Sequence, residues 1–161
     1  RVLFVLFRHV LVVDNIRLGY YVHPYVYVLF IFLLPFNIPR WQLLLLGFVN
    51  GFFVDLFNGT PGLNAAATVL MAFVRPFVIS IMTRRKDINP NDEPSLSTMG
   101  VSWFITYSAI LLTAHNLTLF MLEAFSFKLV SVVLTQTVMS VLCSLLLIFI
   151  ILLLFKKSNK K

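Results

Sequence analysis

The sequence predicts an all-α integral membrane protein, a six-helix transmembrane bundle. Two observations carry that prediction. The 161 residues are 60% hydrophobic and only 12% charged, whereas a soluble domain is roughly half apolar and a quarter charged. The apolar residues also fall into runs of about membrane-spanning length, separated by short polar breaks. Phenylalanine is heavily used, 17 residues, which suits lipid-facing and interhelical surface.

The six predicted spans are 2–13, 22–35, 41–57, 62–82, 99–112 and 129–155, all within one transmembrane domain covering 1–161. Span 2–13 is short, about 18 Å as a helix, and is interrupted by Arg8 and His9. No small-residue cleavage site follows it, so it reads as a span and not a signal peptide. Arg8 is expected inside the membrane, facing the bundle or snorkelling. A polar break follows, then Tyr20, Tyr21, Tyr25 and Tyr27, an aromatic girdle of the interfacial kind. His23-Pro24 opens the second span, since Pro is tolerated in a first helical turn. Pro35 and Pro39 bracket a turn, and Arg40-Trp41 is a basic-aromatic anchor for the third span.

The stretch 47–62, GFVNGFFVDLFNGTPG, is the most informative in the chain. Gly47, Gly51, Asp55 and Gly59 recur every four residues and so share one helical stripe. Gly47 and Gly51 leave a groove that another helix can approach closely, the small-xxx-small logic of membrane packing. Asn50 is a further polar residue within this span. The stripe ends in Gly59-Thr60-Pro61-Gly62, where a new helix is expected with Thr60 as N-cap, Pro61 at its first position and Asn64 bonding back. Ala65, Ala66 and Ala67 keep that helix thin. Asp55 is costly in an apolar segment, and its expected partner is the N-terminus of the next helix, with its free N–H groups and positive dipole end. A proton- or ion-coupling carboxylate, or a contact to a partner's helix, is the alternative.

Within the fourth span Arg75-Pro76 predicts a kink, and Arg75 lies deep enough to snorkel toward the far face. The polar stretch 83–97 reads as a loop. Thr113-Ala114-His115-Asn116 reads as a polar break that ends the fifth span. The run 117–127, which contains Glu123, reads as a short interfacial helix or the entry to the sixth span.

An even number of spans puts both termini on one side. Arg1, Arg40, Arg84, Arg85, Lys86, Lys156, Lys157, Lys160 and Lys161 then share the face of the termini, against Arg17 and Lys128 on the other. That bias predicts cytoplasmic termini, with the Gly59 turn toward the outer face. The net charge of +7 thus reads as topology and lipid contact, not nucleic-acid binding.

No catalytic constellation is recognisable. There is no Ser-His-Asp order, HExxH or P-loop. His9, His23 and His115 are scattered and lack the carboxylate setting of a metal site, and the lone Cys143 forms neither an internal disulfide nor a metal site. No cofactor is expected, and the chain reads as a non-enzyme.

The stretch Gly51-Phe52-Phe53-Val54-Asp55-Leu56-Phe57-Asn58-Gly59-Thr60-Pro61-Gly62-Leu63-Asn64-Ala65-Ala66-Ala67 resembles the bacterial rod shape-determining MreD family, in its Bacteroidetes-like form. That family has a G-x-x-x-D-x-x-x-G-x-P-x-G-x-x-A pattern in the same hairpin. Pro39-Arg40-Trp41, Met71-Ala72-Phe73-Val74-Arg75-Pro76-Phe77 and Leu122-Glu123-Ala124-Phe125-Ser126-Phe127 extend the resemblance over essentially the whole chain. Asn64 departs from the family, where His or another residue is expected. The resemblance implies a bundle like the substrate-binding S-components of energy-coupling-factor transporters, in the bacterial inner membrane. It also implies a non-enzymatic subunit of the cell-elongation machinery, controlling cell shape in lateral peptidoglycan synthesis. Its implied partners are an MreC-like single-span protein and, through it, MreB filaments, RodA and a class B penicillin-binding protein. Gly47, Gly51, Asp55, Gly59, Pro61 and Gly62 are the packing or partner-contact candidates. A vitamin-capturing S-component is the rival. It would need a polar pocket open to the outer face, whereas Trp41 and Trp103 are both expected at cytoplasmic helix ends.

Overall fold

The computed structural model describes residues 26–60, 62–83, 94, 96, 99–125 and 130–156, with the backbone alone for Val26 and 152–156. The predicted span 2–13 with Arg8 and His9, the tyrosines before Tyr27, Pro61, the basic loop residues 84–86 and the tail 157–161 lie outside the described residues.

The described chain is all-helical. A 3-10 turn, Val26–Val28, leads into the short helix α1, Leu29–Phe32, followed by α2, Arg40–Asn58, α3, Leu63–Met82, α4, Val101–Ala124, and α5, Val130–Lys156. Helices α2 to α5 are each long and apolar enough to cross a membrane. This is four among the described residues. The expected span 22–35 is not one helix where it is described: from 26 onward it is the 3-10 turn, the four-residue α1 and a turn, and only 22–25 lie outside the described residues.

Each long helix packs chiefly on the next. The contacts fix α2 and α3 as antiparallel, because Gly51 meets Ala65 while Gly47 meets Ala72. Helices α3 and α4 are antiparallel too, because Thr68 reaches His115 and Arg75 reaches Tyr107. One end of the bundle therefore carries the start of α2, the end of α3 and the start of α4. The 26–34 segment is inserted among these helices, with Tyr27, Val28, Leu29, Ile31 and Phe32 all buried.

Helix α2 ends where Gly59 adopts φ +67° and returns its N–H to the Asp55 carbonyl at 2.9 Å. This left-handed C-terminal turn suits glycine, which has no Cβ to clash. Helix α3 begins at Leu63 after Gly62, and no side chain of its own cap residue closes it. The expected Thr60 cap is not used: Thr60 Oγ1 donates instead to Asp55 Oδ1. Pro76 lies inside α3, which continues through it to Met82.

Helix α4 corrects the reading of Thr113-Ala114-His115-Asn116 as a break. It is one helix of 24 residues, so 99–112 is only its first half and 117–124 is its end. Polarity did not stop it because its threonines bond back to the helix and its central polar pair finds partners inside the bundle. Thr113 and Thr118 bond back to the Ala109 and Ala114 carbonyls, each at 2.7 Å, while His115 and Asn116 point into the bundle and are fully buried. The helix closes on Phe125 at φ 44°.

Candidate functional site

Three buried polar arrangements run along the interior. The first locks the α2–α3 hairpin. A Cβ added at Gly51 would lie 2.6 Å from Ala65 Cα and from the Asn64 carbonyl oxygen. Only glycine permits this backbone-on-backbone approach. It brings Asp55, one turn further along α2, onto the start of α3. Asp55 Oδ1 accepts from the Asn64 N–H at 3.0 Å and Asn64 Nδ2 at 2.9 Å, and Oδ2 accepts from the Ala65 N–H at 2.9 Å. Thr60 Oγ1 adds a fourth bond, at 2.9 Å. A carboxylate supplied by the preceding helix thus satisfies the free N–H groups at the start of α3 and sits at the positive end of its dipole. With its lone pairs engaged, Asp55 acts as a clamp. Gly47, Gly51 and Asp55 spend their contacts within the chain.

The second arrangement joins four elements around Tyr27. Its hydroxyl donates to Asn64 Oδ1 at 3.2 Å, lies 2.7 Å from His115 Nε2 and 3.4 Å from Thr68 Oγ1. Asn50 Nδ2 from α2 donates to the Tyr27 carbonyl at 3.2 Å, and His115 Nδ1 is 3.1 Å from Asn116 Oδ1. These residues are all at least nine-tenths buried, and Asn50 Oδ1 and Asn116 Nδ2 have no partner. Asn64 belongs to both arrangements, so the Tyr27 network is continuous with the Asp55 clamp. Replacing Tyr27 by Phe keeps the ring and removes the hydroxyl bonds to His115 and Asn64. The expected cost is about 2 kcal/mol, read as a lower unfolding midpoint in detergent.

The third arrangement corrects the expectation that Arg75 snorkels. Arg75 is 1% exposed. Its Nε donates to Tyr107 Oη at 2.8 Å and its Nη2 to the Leu34 carbonyl. Tyr107 Oη in turn donates to the Phe32 carbonyl at 3.3 Å. Helix α1 therefore ends inside the bundle, and Arg75 and Tyr107 serve carbonyls at its C-terminus. A non-helical backbone at membrane depth requires such internal partners, and a cation suits the negative end of a helix dipole.

The sequence reading named Gly47, Gly51, Asn50, Asp55 and Arg75 but not Tyr27, Thr68, Tyr107 or Asn116 as parts of one interior. The available signal was spacing. In α4 the pairs Tyr107-Ser108, Leu111-Leu112 and His115-Asn116 follow one another at intervals of four, and all are buried. Gly59 and Gly62 shape the turn, and Pro61 lies outside the described residues. Among the described residues no three of His, Cys, Asp and Glu come together as a metal site.

Neither a known protein family nor a curated protein nor a solved structure matches this chain.

Proposed function

We propose that this chain is a non-enzymatic membrane subunit of the bacterial cell-elongation machinery. In this reading it lies in the inner membrane with both termini cytoplasmic, and it scaffolds an MreC-like single-span protein and the peptidoglycan synthase formed by RodA and a class B penicillin-binding protein. The observation that carries the reading is the hairpin whose residues resemble the MreD family. Its chemistry is consumed by its own packing: Gly51 admits α3, and Asp55 is held by four donors. A residue set spent on fixing two helices suits an assembly element better than a reacting one. On the outer face of the hairpin, α2 exposes Phe48, Phe52, Phe53 and Phe57, with the Phe48 and Phe52 rings stacked at 5.8 Å. In this reading the hairpin presents that outer surface to the partner's span.

The second reading, an S-component that captures a vitamin, is favoured by the Tyr27 network, where polar side chains from four elements converge and two polar atoms lack partners. A mild-detergent pull-down of tagged protein from its native host, read by mass spectrometry, separates the two. Recovery of the single-span partner or the synthase supports the scaffold. Recovery of an ATPase pair with a coupling membrane subunit, or of a stoichiometric vitamin, overturns it.

A further inference from the structure

The protons of the Tyr27 network can be counted, because two of its side chains have no freedom left. Asn64 Nδ2 donates to Asp55 Oδ1 at 2.9 Å and to Thr60 Oγ1 at 3.0 Å. The Asp55 carboxylate only accepts, and Thr60 has given its own proton to Asp55. The amide is therefore held with Oδ1 toward Tyr27, where it can only accept. Thr68 has given its proton to the Asn64 carbonyl at 2.7 Å. Its Oγ1 is then an acceptor toward Tyr27 Oη and His115 Nε2, each 3.4 Å away.

Tyr27 brings one proton to this cluster, and Asn64 Oδ1 takes it at 3.2 Å. Oη also lies 2.7 Å from His115 Nε2. With Oη already donating to Asn64, the proton in that short contact comes from the ring. The opposite arrangement, a bare Nε2 taking the tyrosine proton, leaves Asn64 Oδ1 and Thr68 Oγ1 both facing an oxygen with nothing to give. Buried acceptors left in that state are costly. The ring proton therefore sits on Nε2, and Nδ1 is the basic nitrogen.

Nδ1 faces Asn116, the next residue of α4. Asn116 Oδ1 lies 3.1 Å from Nδ1, while its buried Nδ2 has no partner. That arrangement suits a ring protonated on both nitrogens. Turning the amide over places Nδ2–H on a bare Nδ1, which suits the neutral ring and gives Nδ2 its acceptor. One side chain thus serves Nδ1 with or without a proton, and the bonds among Tyr27, Asn64 and Thr68 stay as they are. Of the two described carboxylates, Asp55 is reached through Asn64 and Tyr27, and Glu123 is exposed about two turns along α4. Arg75 is directed to Tyr107 and the Leu34 carbonyl. The buried polar side chains Asn50 of α2 and Thr137, Ser140 and Ser144 of α5 are uncharged.

We propose that His115 Nδ1 is a proton-binding site in the interior of the bundle. Asp55, acting through Asn64 and Tyr27, holds the ring proton on Nε2, and Asn116 is the partner that turns over as Nδ1 takes up or releases its proton. The site stands on the interior hydrogen bonds alone, so it is independent of the scaffold reading.

The test is nitrogen NMR of the full chain, labelled with 15N-histidine and purified in a neutral detergent. His115 is assigned by the signals lost in His115→Gln, and the fold is followed by circular dichroism as the pH is lowered. The expected result is a neutral ring with its proton on Nε2, then a second protonation at Nδ1 while the fold persists. Asn116→Leu gives an Nδ1 proton no acceptor and is expected to lose the second step. His23, just before the described residues, supplies the control: His23→Gln is expected to leave the His115 titration unchanged. A neutral ring with its proton on Nδ1 overturns the proposal, as does an Nδ1 that stays bare until the protein unfolds. So does a second protonation that survives Asn116→Leu or disappears in His23→Gln. If Asn116→Leu does not fold, the wild-type ring decides alone.

Discussion

Gly51→Ala is expected to destabilise the protein by about 3 kcal/mol, at the high end for a single added methyl. The reason is what the methyl meets. It falls 2.6 Å from Ala65 Cα and the Asn64 carbonyl oxygen, and 2.8 Å from the Ala65 nitrogen. All three are backbone atoms of α3, so no side chain can rotate away and the two helices must separate. Separation also draws Asp55 off the start of α3, because that carboxylate lies only one turn along the same stripe. Gly47→Ala is the internal control. Its methyl approaches Ala72 Cβ at 3.0 Å and the Thr68 carbonyl oxygen at 3.3 Å, contacts a small shift relieves, and the expected loss is about 1 kcal/mol. Equilibrium unfolding in detergent should therefore rank wild type, Gly47→Ala, Gly51→Ala in falling stability. A Gly51→Ala protein as stable as Gly47→Ala would contradict the close approach. In cells, Gly51→Leu is expected to lose the single-span partner in a pull-down even where its expression is normal.

Asp55→Ala has the second large effect, again about 3 kcal/mol. It leaves the Asn64 and Ala65 N–H groups without acceptors in a buried setting, and strands the Asn64 and Thr60 side chains that converge on Oδ1. Asp55→Asn separates charge from shape. A carboxamide fits the space but keeps a single acceptor oxygen and turns an NH2 toward donors, so little of the loss should be recovered. Thr60→Ala removes one bond of four and is expected to cost about 1 kcal/mol. The same unfolding assay orders the three. If Asp55→Asn matched the wild type while Thr60→Ala fell well below it, the carboxylate would not be the hub of the turn.

What the sequence discloses about this bundle depends on the range of the interaction. The hairpin was readable because its determinants are local. Glycines four residues apart define a stripe, and an acid one turn before a Gly-Thr-Pro-Gly turn is necessarily near the next helix start. The ends of α2 and α3 accordingly fall within one residue of the expected 41–57 and 62–82. Helix α4 was misread for the opposite reason. His115 and Asn116 look like a polar break until Tyr27, 88 residues from His115, supplies a buried partner. Arg75 was expected to snorkel because its acceptors, Tyr107 and the Leu34 carbonyl, are 32 and 41 residues away. In an apolar span a polar residue is a break, a snorkel or a core contact according to what faces it, and that is a tertiary property. Tyr27 illustrates the same limit, since a run of tyrosines beside a span also fits an interfacial girdle, whereas this one is fully buried.

The proposed role in cell elongation is tested most directly by depleting the protein in its native host while imaging cell shape and new wall incorporation. The account predicts that rods widen and round up as lateral insertion is lost, and that wild-type protein restores them while Gly51→Leu does not. Cells that keep their rod shape and lateral wall synthesis on depletion, but fail to take up a vitamin, would contradict it and make the Tyr27 network the functional centre.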